Sequence, residues 1–313
     1  MARFKVTVVG AGNVGATAAQ RLVERGIADV VLTDILEGVP QGKALDLLQS
    51  GPTEGYNTSI VGTNDYKDIA GSDVVLVTAG FPRQPGMSRS DLLQKNAEIV
   101  KGIGENIKQH APNSIVVTVT NPLDVMTYLM MKVTGFAPNR VVGMAGVLDS
   151  ARFRTFIAME LKMAATDVDA MVLGGHGDSM VPMTRFSTVY GVSIENLIAP
   201  DRLKAIVDRT RNGGAEIVNL LKKGSAYYAP ASSAVEMVMA ILRDEKRLLP
   251  CASFCDGVYG MKDLYIGVPV VLGKGGVEKT IQLNLTKEEL AALQESGGKV
   301  KADIETMRGL VKF

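Results

Sequence analysis

Two histidines, His110 and His176, are the only imidazoles in 313 residues, so the side chain best suited to moving a proton near neutral pH occurs at two positions. Their settings differ. His176 lies in Gly174-Gly175-His176-Gly177-Asp178, a polar turn after a strand-like run, whose glycines would let another molecule approach closely. His110 precedes Ala111-Pro112 at the end of a polar helical pattern, where a cation is mildly favoured, and it reads as a surface residue. A second group, Leu148-Asp149-Ser150-Ala151-Arg152, opens a helical pattern. Asp149 and Arg152 are three apart and project from neighbouring faces of its first turn, so the acid could orient a base and the guanidinium could clamp a carboxylate. A capping acid with an exposed ion pair would show the same spacing.

A third group follows a strand-like run: Ala79-Gly80-Phe81-Pro82-Arg83-Gln84-Pro85-Gly86-Met87-Ser88-Arg89. Its prolines and glycines prevent regular structure, so two arginines ride on a loop at the carboxyl end of a sheet, as on a lid. A fourth, Gly10-Ala11-Gly12-Asn13-Val14-Gly15, fits G-x-G-x-x-G between a strand and an amphipathic helix. Gly10 permits a tight turn, Gly12 admits a pyrophosphate to the backbone, and Gly15 allows close packing of helix on strand. Asp34 ends the next strand, 24 positions after Gly10, where an acid accepts hydrogen bonds from the adenosine ribose. It would repel a 2′-phosphate, and no Arg or Lys follows within 35–39, so the pattern favours NAD over NADP.

The elements that must hold these groups alternate through the first half. Strand candidates are Lys5–Val9, Val30–Thr33, Thr58–Gly62, Val74–Thr78, Ile115–Val119 and Arg140–Gly143, and helix candidates are Val14–Arg25, Gln41–Gln49, Arg89–Gln109 and Pro122–Val133. This is the pattern of an α/β fold with an N-terminal doubly wound parallel sheet, the Rossmann type, whose crossovers are right-handed. From Leu148 the rhythm changes to α+β. Helices are expected at Ser150–Lys162, Asp201–Lys222, Ser233–Arg243 and from Thr286, and strands at Asp169–Gly174, Met180–Thr188, Cys251–Cys255, Ile266–Leu272 and Thr280–Leu283. The expected division is a cofactor domain over 1–145 and a C-terminal α+β substrate domain over 146–313. No linker-like tract separates them, so a broad shared interface is expected.

Composition excludes several other classes. With 34 basic and 33 acidic residues, no bulk field draws the chain to nucleic acid or to an anionic membrane. The hydrophobic fraction of 46% is that of a folded protein, and no apolar run is long enough to span a bilayer. The first residues show no export signal, so the chain reads as cytoplasmic. Cys251 and Cys255 cannot supply a disulfide framework or a cysteine zinc site and read as free thiols. No metal is expected.

From first strand to last helix the chain resembles the lactate/malate dehydrogenase family, within it the malate-specific, NAD-dependent subgroup that is similar to lactate dehydrogenases. The resemblance is carried by GAGNVG, Asp34, GFPRQPGMSR, Thr120-Asn121-Pro122-Leu123-Asp124, VLDSAR, GGHGD and the run Gly224-Ser225-Ala226-Tyr227-Tyr228-Ala229-Pro230. It implies that His176 exchanges the substrate hydroxyl proton with Asp149 as its partner, and that Arg152 grips the C1 carboxylate. It implies that Arg89 polarises the carbonyl and that Asn121 hydrogen-bonds the reacting oxygen beside the nicotinamide. The implied cofactor contacts are Gly10, Gly12, Asn13, Val14, Gly15, Asp34, Asn96, Val119 and Asn121, with a cis bond before Pro122.

Substrate choice turns on Arg83, where lactate-specific relatives typically have glutamine. Closing Arg83 over a monocarboxylate would bury an unpaired guanidinium, and a second carboxylate removes that penalty. Ala226, usually threonine in the lactate enzymes, adds weaker support. The expected reaction is reversible hydride transfer between L-malate and NAD, with oxaloacetate as product. Alternatives are a lactate or broad 2-hydroxyacid dehydrogenase, an NAD-dependent glycosidase and a non-catalytic NAD sensor. The glycosidases need a metal site, and no Cys/His pair stands near His176 to form one. The resemblance also implies a homodimer or homotetramer.

Overall fold

Short β-branched runs become the strands of a buried sheet, because a strand covered on both faces need not alternate. In the computed structural model, which describes residues 3–81 and 88–313 together with the backbone but not the side chain of residue 89, these runs are β1 (Phe4–Val9), β2 (Ala28–Thr33), β3 (Ile60–Thr63), β4 (Val74–Val77), β5 (Ile115–Thr118) and β6 (Val141–Gly143). All are parallel, in the order β3-β2-β1-β4-β5-β6. β4 and β5 are buried at every position. The crossovers contain α1 (Asn13–Glu24), α2 (Val39–Glu54), α3 (Arg89–His110) and α4 (Leu123–Thr134). Strand order reverses between β1 and β4, and in such sheets ligands bind beyond the carboxyl ends at that point.

α2 runs five residues beyond the expected Gln49, through Pro52, and closes on Gly55 in a left-handed conformation. Pro52 forfeits only its own bond back to Leu48, and the Gly55 N–H still donates to the Gly51 carbonyl beyond it. α3 opens with a capping box in which Ser88 accepts from the Asp91 N–H and Asp91 accepts from the Ser88 N–H. The backbone is therefore fixed where α3 begins.

The second half adds α5 (Gly146–Leu161), the two-residue strands β7 (Val168–Asp169), β8 (Val172–Leu173), β9 (Val181–Pro182), β10 (Thr188–Val189) and β11 (Val192–Ser193), then α6 (Pro200–Leu221) and α7 (Tyr228–Leu242). It ends with β12 (Arg247–Asp256), β13 (Lys262–Gly273), β14 (Gly276–Thr280) and α8 (Lys287–Leu310). The expected strand Asp169–Gly174 is divided, since β7 pairs with β10 whereas β8 pairs with β9. The expected Met180–Thr188 strand breaks at Pro182, which has no N–H, and a 3-10 turn follows at Thr184–Phe186. α7 begins five residues before the expected Ser233, with Pro230 in its first turn, where a missing N–H costs nothing. The final strand ends at Thr280 rather than spanning Thr280–Leu283.

β12, β13 and β14 do not form a separate sheet. β12 pairs antiparallel with β6 through Ala252 and Gly143, so one nine-stranded sheet crosses both halves. Pro250 and Pro269 face each other across β12 and β13. A directly opposed pair lacking N–H groups belongs at a non-hydrogen-bonded position, so the ladder continues past both. Cys251 and Cys255 lie on β12, both buried and free. α1 contacts α2 and α7, whereas α3 contacts α4 and α8, giving two helical layers. The main buried cluster runs from Val6 to Val311 through both halves, and α5, α6 and the short strands enclose a second around Phe153 and Ile157. Among the described residues no helix is long and apolar enough to cross a membrane.

Candidate active site

The glycine turn after β1 is shaped by three different constraints. Gly10 has φ +104°, and a Cβ there would stand 2.6 Å from the Ala79 nitrogen. A Cβ on Gly15 would lie 1.8 Å from the Gly10 carbonyl oxygen. Both positions are therefore closed to any side chain. Gly12 meets nothing within 4 Å, and it caps α1 without any side-chain hydrogen bond. An open approach to uncapped helix N–H groups is what a pyrophosphate requires. Exposed Asn13 and half-buried Val14 follow on the first turn. Asp34, half-buried at the end of β2, accepts from the Ala11 N–H at 2.7 Å and the Leu36 N–H at 3.0 Å, so its carboxylate is fixed beside the turn. These residues fit a dinucleotide.

A cation from beyond residues 35–39 also reaches this turn. Lys43 Nζ donates to the Ala11 carbonyl at 2.6 Å, because α2 turns back toward the glycine turn. Its position nine residues after Asp34 hides this contact from a reading of the strand end alone.

The loops after β4 and β5 are tied together at the switch point. Buried Asn96 on α3 accepts from the Phe81 N–H at 2.6 Å and donates to the Phe81 and Asn121 carbonyls. Its amide thus holds the two loops against each other. Val119 is half-buried and its N–H donates to the Val77 carbonyl. The Asn121-Pro122 bond is cis, as the resemblance implied, and the Asn121 side chain is exposed. Arg83 lies outside the described residues, as does the side chain of Arg89.

His176 is held from four directions. Its Nδ1 is 2.8 Å from Asp149 Oδ2 on α5, and its backbone N–H donates to Asp124 Oδ2 on α4 at 2.8 Å. Gly174 exchanges two backbone hydrogen bonds with Gly267 of β13, and Ser296 on α8 accepts from the Gly175 N–H. Asp149 is 2% exposed and also accepts from Arg152 Nη1 at 3.0 Å. One carboxylate thus aligns an imidazole and a guanidinium. Burial draws the His176 imidazole down, but Asp149 and then Asp124 outweigh it and hold its pKa above the ordinary value, against a smaller opposing effect of Arg152. Burial pushes the Asp124 carboxyl up to about 6. Asp124 appears in the sequence only within the Thr120–Asp124 motif, and no spacing rule links it to a turn 52 residues away.

The turn glycines differ in purpose from the sequence reading. A Cβ on Gly175 would come 2.8 Å from Val300 Cγ2, and one on Gly174 would come 3.0 Å from Ser296 Oγ. These two make room for α8. Only Gly177, with φ +140° and nothing within 4 Å, faces open space. Of the interior pair Gly213-Gly214 in α6, close packing accounts for Gly213 and leaves Gly214 with room for a methyl. A Cβ on Gly213 would stand 3.2 Å from Arg152 Cδ, and one on Gly214 3.6 Å from Arg152 Nη2. α6 is thus the floor beneath the guanidinium. His110 ends α3, as read, with no part in the cluster.

Known proteins match this chain over nearly its whole length. Residues 4–143 match the family model described as lactate/malate dehydrogenase, NAD binding domain, and residues 146–311 match its alpha/beta C-terminal domain. The malate dehydrogenase of Chloroherpeton thalassium is 56% identical over 310 residues, 99% of this chain and 100% of that protein. The crystal structure of Cryptosporidium parvum malate dehydrogenase superposes with a TM-score of 0.96 at 43% identity, covering 98% of this chain and 100% of that one. The Cryptosporidium parvum lactate dehydrogenase complexed with lactic acid and nicotinamide adenine dinucleotide gives 0.95 at 46% identity, covering 98% and 99%. The glycine turn with Asp34 falls within the first matched domain and the His176–Asp149 pair within the second, and the relatives match this chain from end to end: the chain belongs to the lactate/malate dehydrogenase family and is an NAD-dependent oxidoreductase.

Proposed function

We propose that the protein interconverts L-malate and oxaloacetate, with His176 as the group that takes and returns the hydroxyl proton. The observation that carries this reading is the sharing of Asp149 between His176 and Arg152, at 2.8 and 3.0 Å. With Nδ1 donating to Asp149, the imidazole presents Nε2 as its free base. As the C2 hydroxyl is oxidised, its proton passes to Nε2 and Asp149 steadies the imidazolium. Arg152 is engaged by Asp149 only through Nη1, which leaves further donors for the substrate C1 carboxylate. Arg89 and Asn121 are assigned to the developing carbonyl oxygen, and Arg83 to the second carboxylate. NAD, held by Gly10, Gly12, Asn13, Val14, Gly15 and Asp34, supplies the hydride acceptor when bound. Asn96 supports that site through the two loops it joins, and Val119, packed on the main core at the end of β5, is assigned to the same cofactor site.

The relatives include both malate and lactate dehydrogenases, so the test sets the two substrates side by side. NADH oxidation is followed with oxaloacetate and pyruvate, for the native protein and for Arg83→Gln. Strong preference for oxaloacetate, narrowed by at least about tenfold or reversed in the variant, is expected because a buried unpaired guanidinium is worth several kcal/mol. Equal turnover of both substrates would move the protein to the broad 2-hydroxyacid reading. Turnover of neither would remove the assignment. The same reading makes the enzyme a cytoplasmic homodimer or homotetramer.

A further inference from the structure

We propose that Asp124 is a positioning residue for His176: it fixes the histidine backbone from the first turn of α4 and stands with Asp149 as a second counter-charge to the imidazolium. The inference rests on His176 being the proton acceptor. Asp124 is 5% exposed, and its Oδ2 accepts from the His176 N–H at 2.8 Å. Its Oδ1 is buried without a hydrogen-bond partner among the described residues. Asp124 lies in the first turn of α4, three residues after Asn121, so it joins the segment assigned to the reacting oxygen directly to the turn that carries the proton acceptor.

A backbone anchor alone does not need a carboxylate, since a neutral amide oxygen accepts the same bond. Burying an ionisable oxygen with no partner is costly unless a nearby cation compensates it. The groups facing His176 are Asp149 and Arg152 from α5 and Asp124 from α4, with the neutral Ser296 hydroxyl on α8 behind the turn. Cys255, which faces Asp124 from β12, has its thiol pushed up to about 12 by burial and stays uncharged. Asp178 on the turn itself is exposed. With both acids ionised, this group is neutral when His176 carries its proton and bears one negative charge when it does not. Proton transfer from the substrate hydroxyl to Nε2 therefore completes the charge balance, while Asp124 itself forms and breaks no bond.

The test uses the full chain and needs no turnover for its first readout. Because there are only two histidines, His110→Gln assigns both ring C–H resonances, and His176 is titrated by NMR in the native protein and in Asp124→Asn. The amide retains the acceptor and removes the charge. His176 is expected to titrate about one pH unit lower in the variant. The pH at which half of kcat/KM for oxaloacetate reduction is lost should move down with it, a roughly tenfold loss on the alkaline side, with NADH affinity unchanged. Asp124→Ala, which also removes the anchor, should lower kcat further. An unmoved His176 titration in Asp124→Asn overturns the proposal. Should neither variant fold, the native His176 resonance decides: a second inflection from Asp124 supports the coupling, and a single inflection overturns it. If His176→Asn kept full activity, the proton-acceptor reading would fail instead, whatever the titrations showed.

Discussion

Asp149 is the residue on which the chemistry turns, because its two oxygens address different partners. Oδ2 meets the imidazole to which the proposed reaction assigns the proton, and Oδ1 meets the guanidinium assigned to the substrate carboxylate. The direction of the His176 shift gives the pH behaviour. Malate oxidation needs the neutral imidazole, so its kcat/KM should rise with pH and reach half its plateau above the ordinary histidine value of 6.5. Oxaloacetate reduction needs the imidazolium and should fall over the same interval. Paired pH profiles check this, and a common midpoint below 6.5 would contradict the stabilising role of the two acids. Asp149→Asn should move both midpoints down and lower kcat by about 10²-fold or more, since it removes the orienting charge as well.

Among elements, the glycine turn separates packing from binding most clearly. Gly12→Ala places a methyl in open space and should cost less than about 1 kcal/mol of stability, while weakening NADH at least about tenfold by filling the approach to α1. Gly15→Ala drives a methyl into the Gly10 carbonyl and should cost roughly 3 kcal/mol even without cofactor. Denaturant unfolding of the two variants, with NADH titrations on whichever remains folded, tests the distinction; equal destabilisation would remove it. Both glycines fit one motif in the sequence. Their roles part only because α1 rises directly from the turn, with Gly15 pressed on it and Gly12 facing away.

For the whole molecule, the joint between β6 and β12 matters most. A Cβ on Gly143 would meet Ala252 Cβ at 2.9 Å, so the two halves touch closely where β6 meets β12. With one sheet and one main core crossing them, unfolding should be a single cooperative transition rather than two. Its midpoint should rise with added NADH and, for a dimer or tetramer, with protein concentration. Calorimetry with and without cofactor tests this; two separate transitions, only one of them shifted by NADH, would show independently stable halves.

The sequence by itself determined the parallel strands and the glycine turn with Asp34, and it singled out His176 in its glycine-flanked turn and Asp149 with Arg152 one helical turn apart. These rest on local rules, unbroken apolar runs, a motif between strand and helix, and spacing along one helix, while the pairing of His176 with Asp149 came only with the family resemblance. Tertiary structure alone decided contacts made between elements far apart in the chain. The divided strands β7 to β10, the continuation of the sheet into β12, Lys43 beside the glycine turn, α6 beneath Arg152, and Asp124 against the His176 backbone are all of this kind. Periodicity records which face of an element is buried, and it carries no record of which other element covers that face.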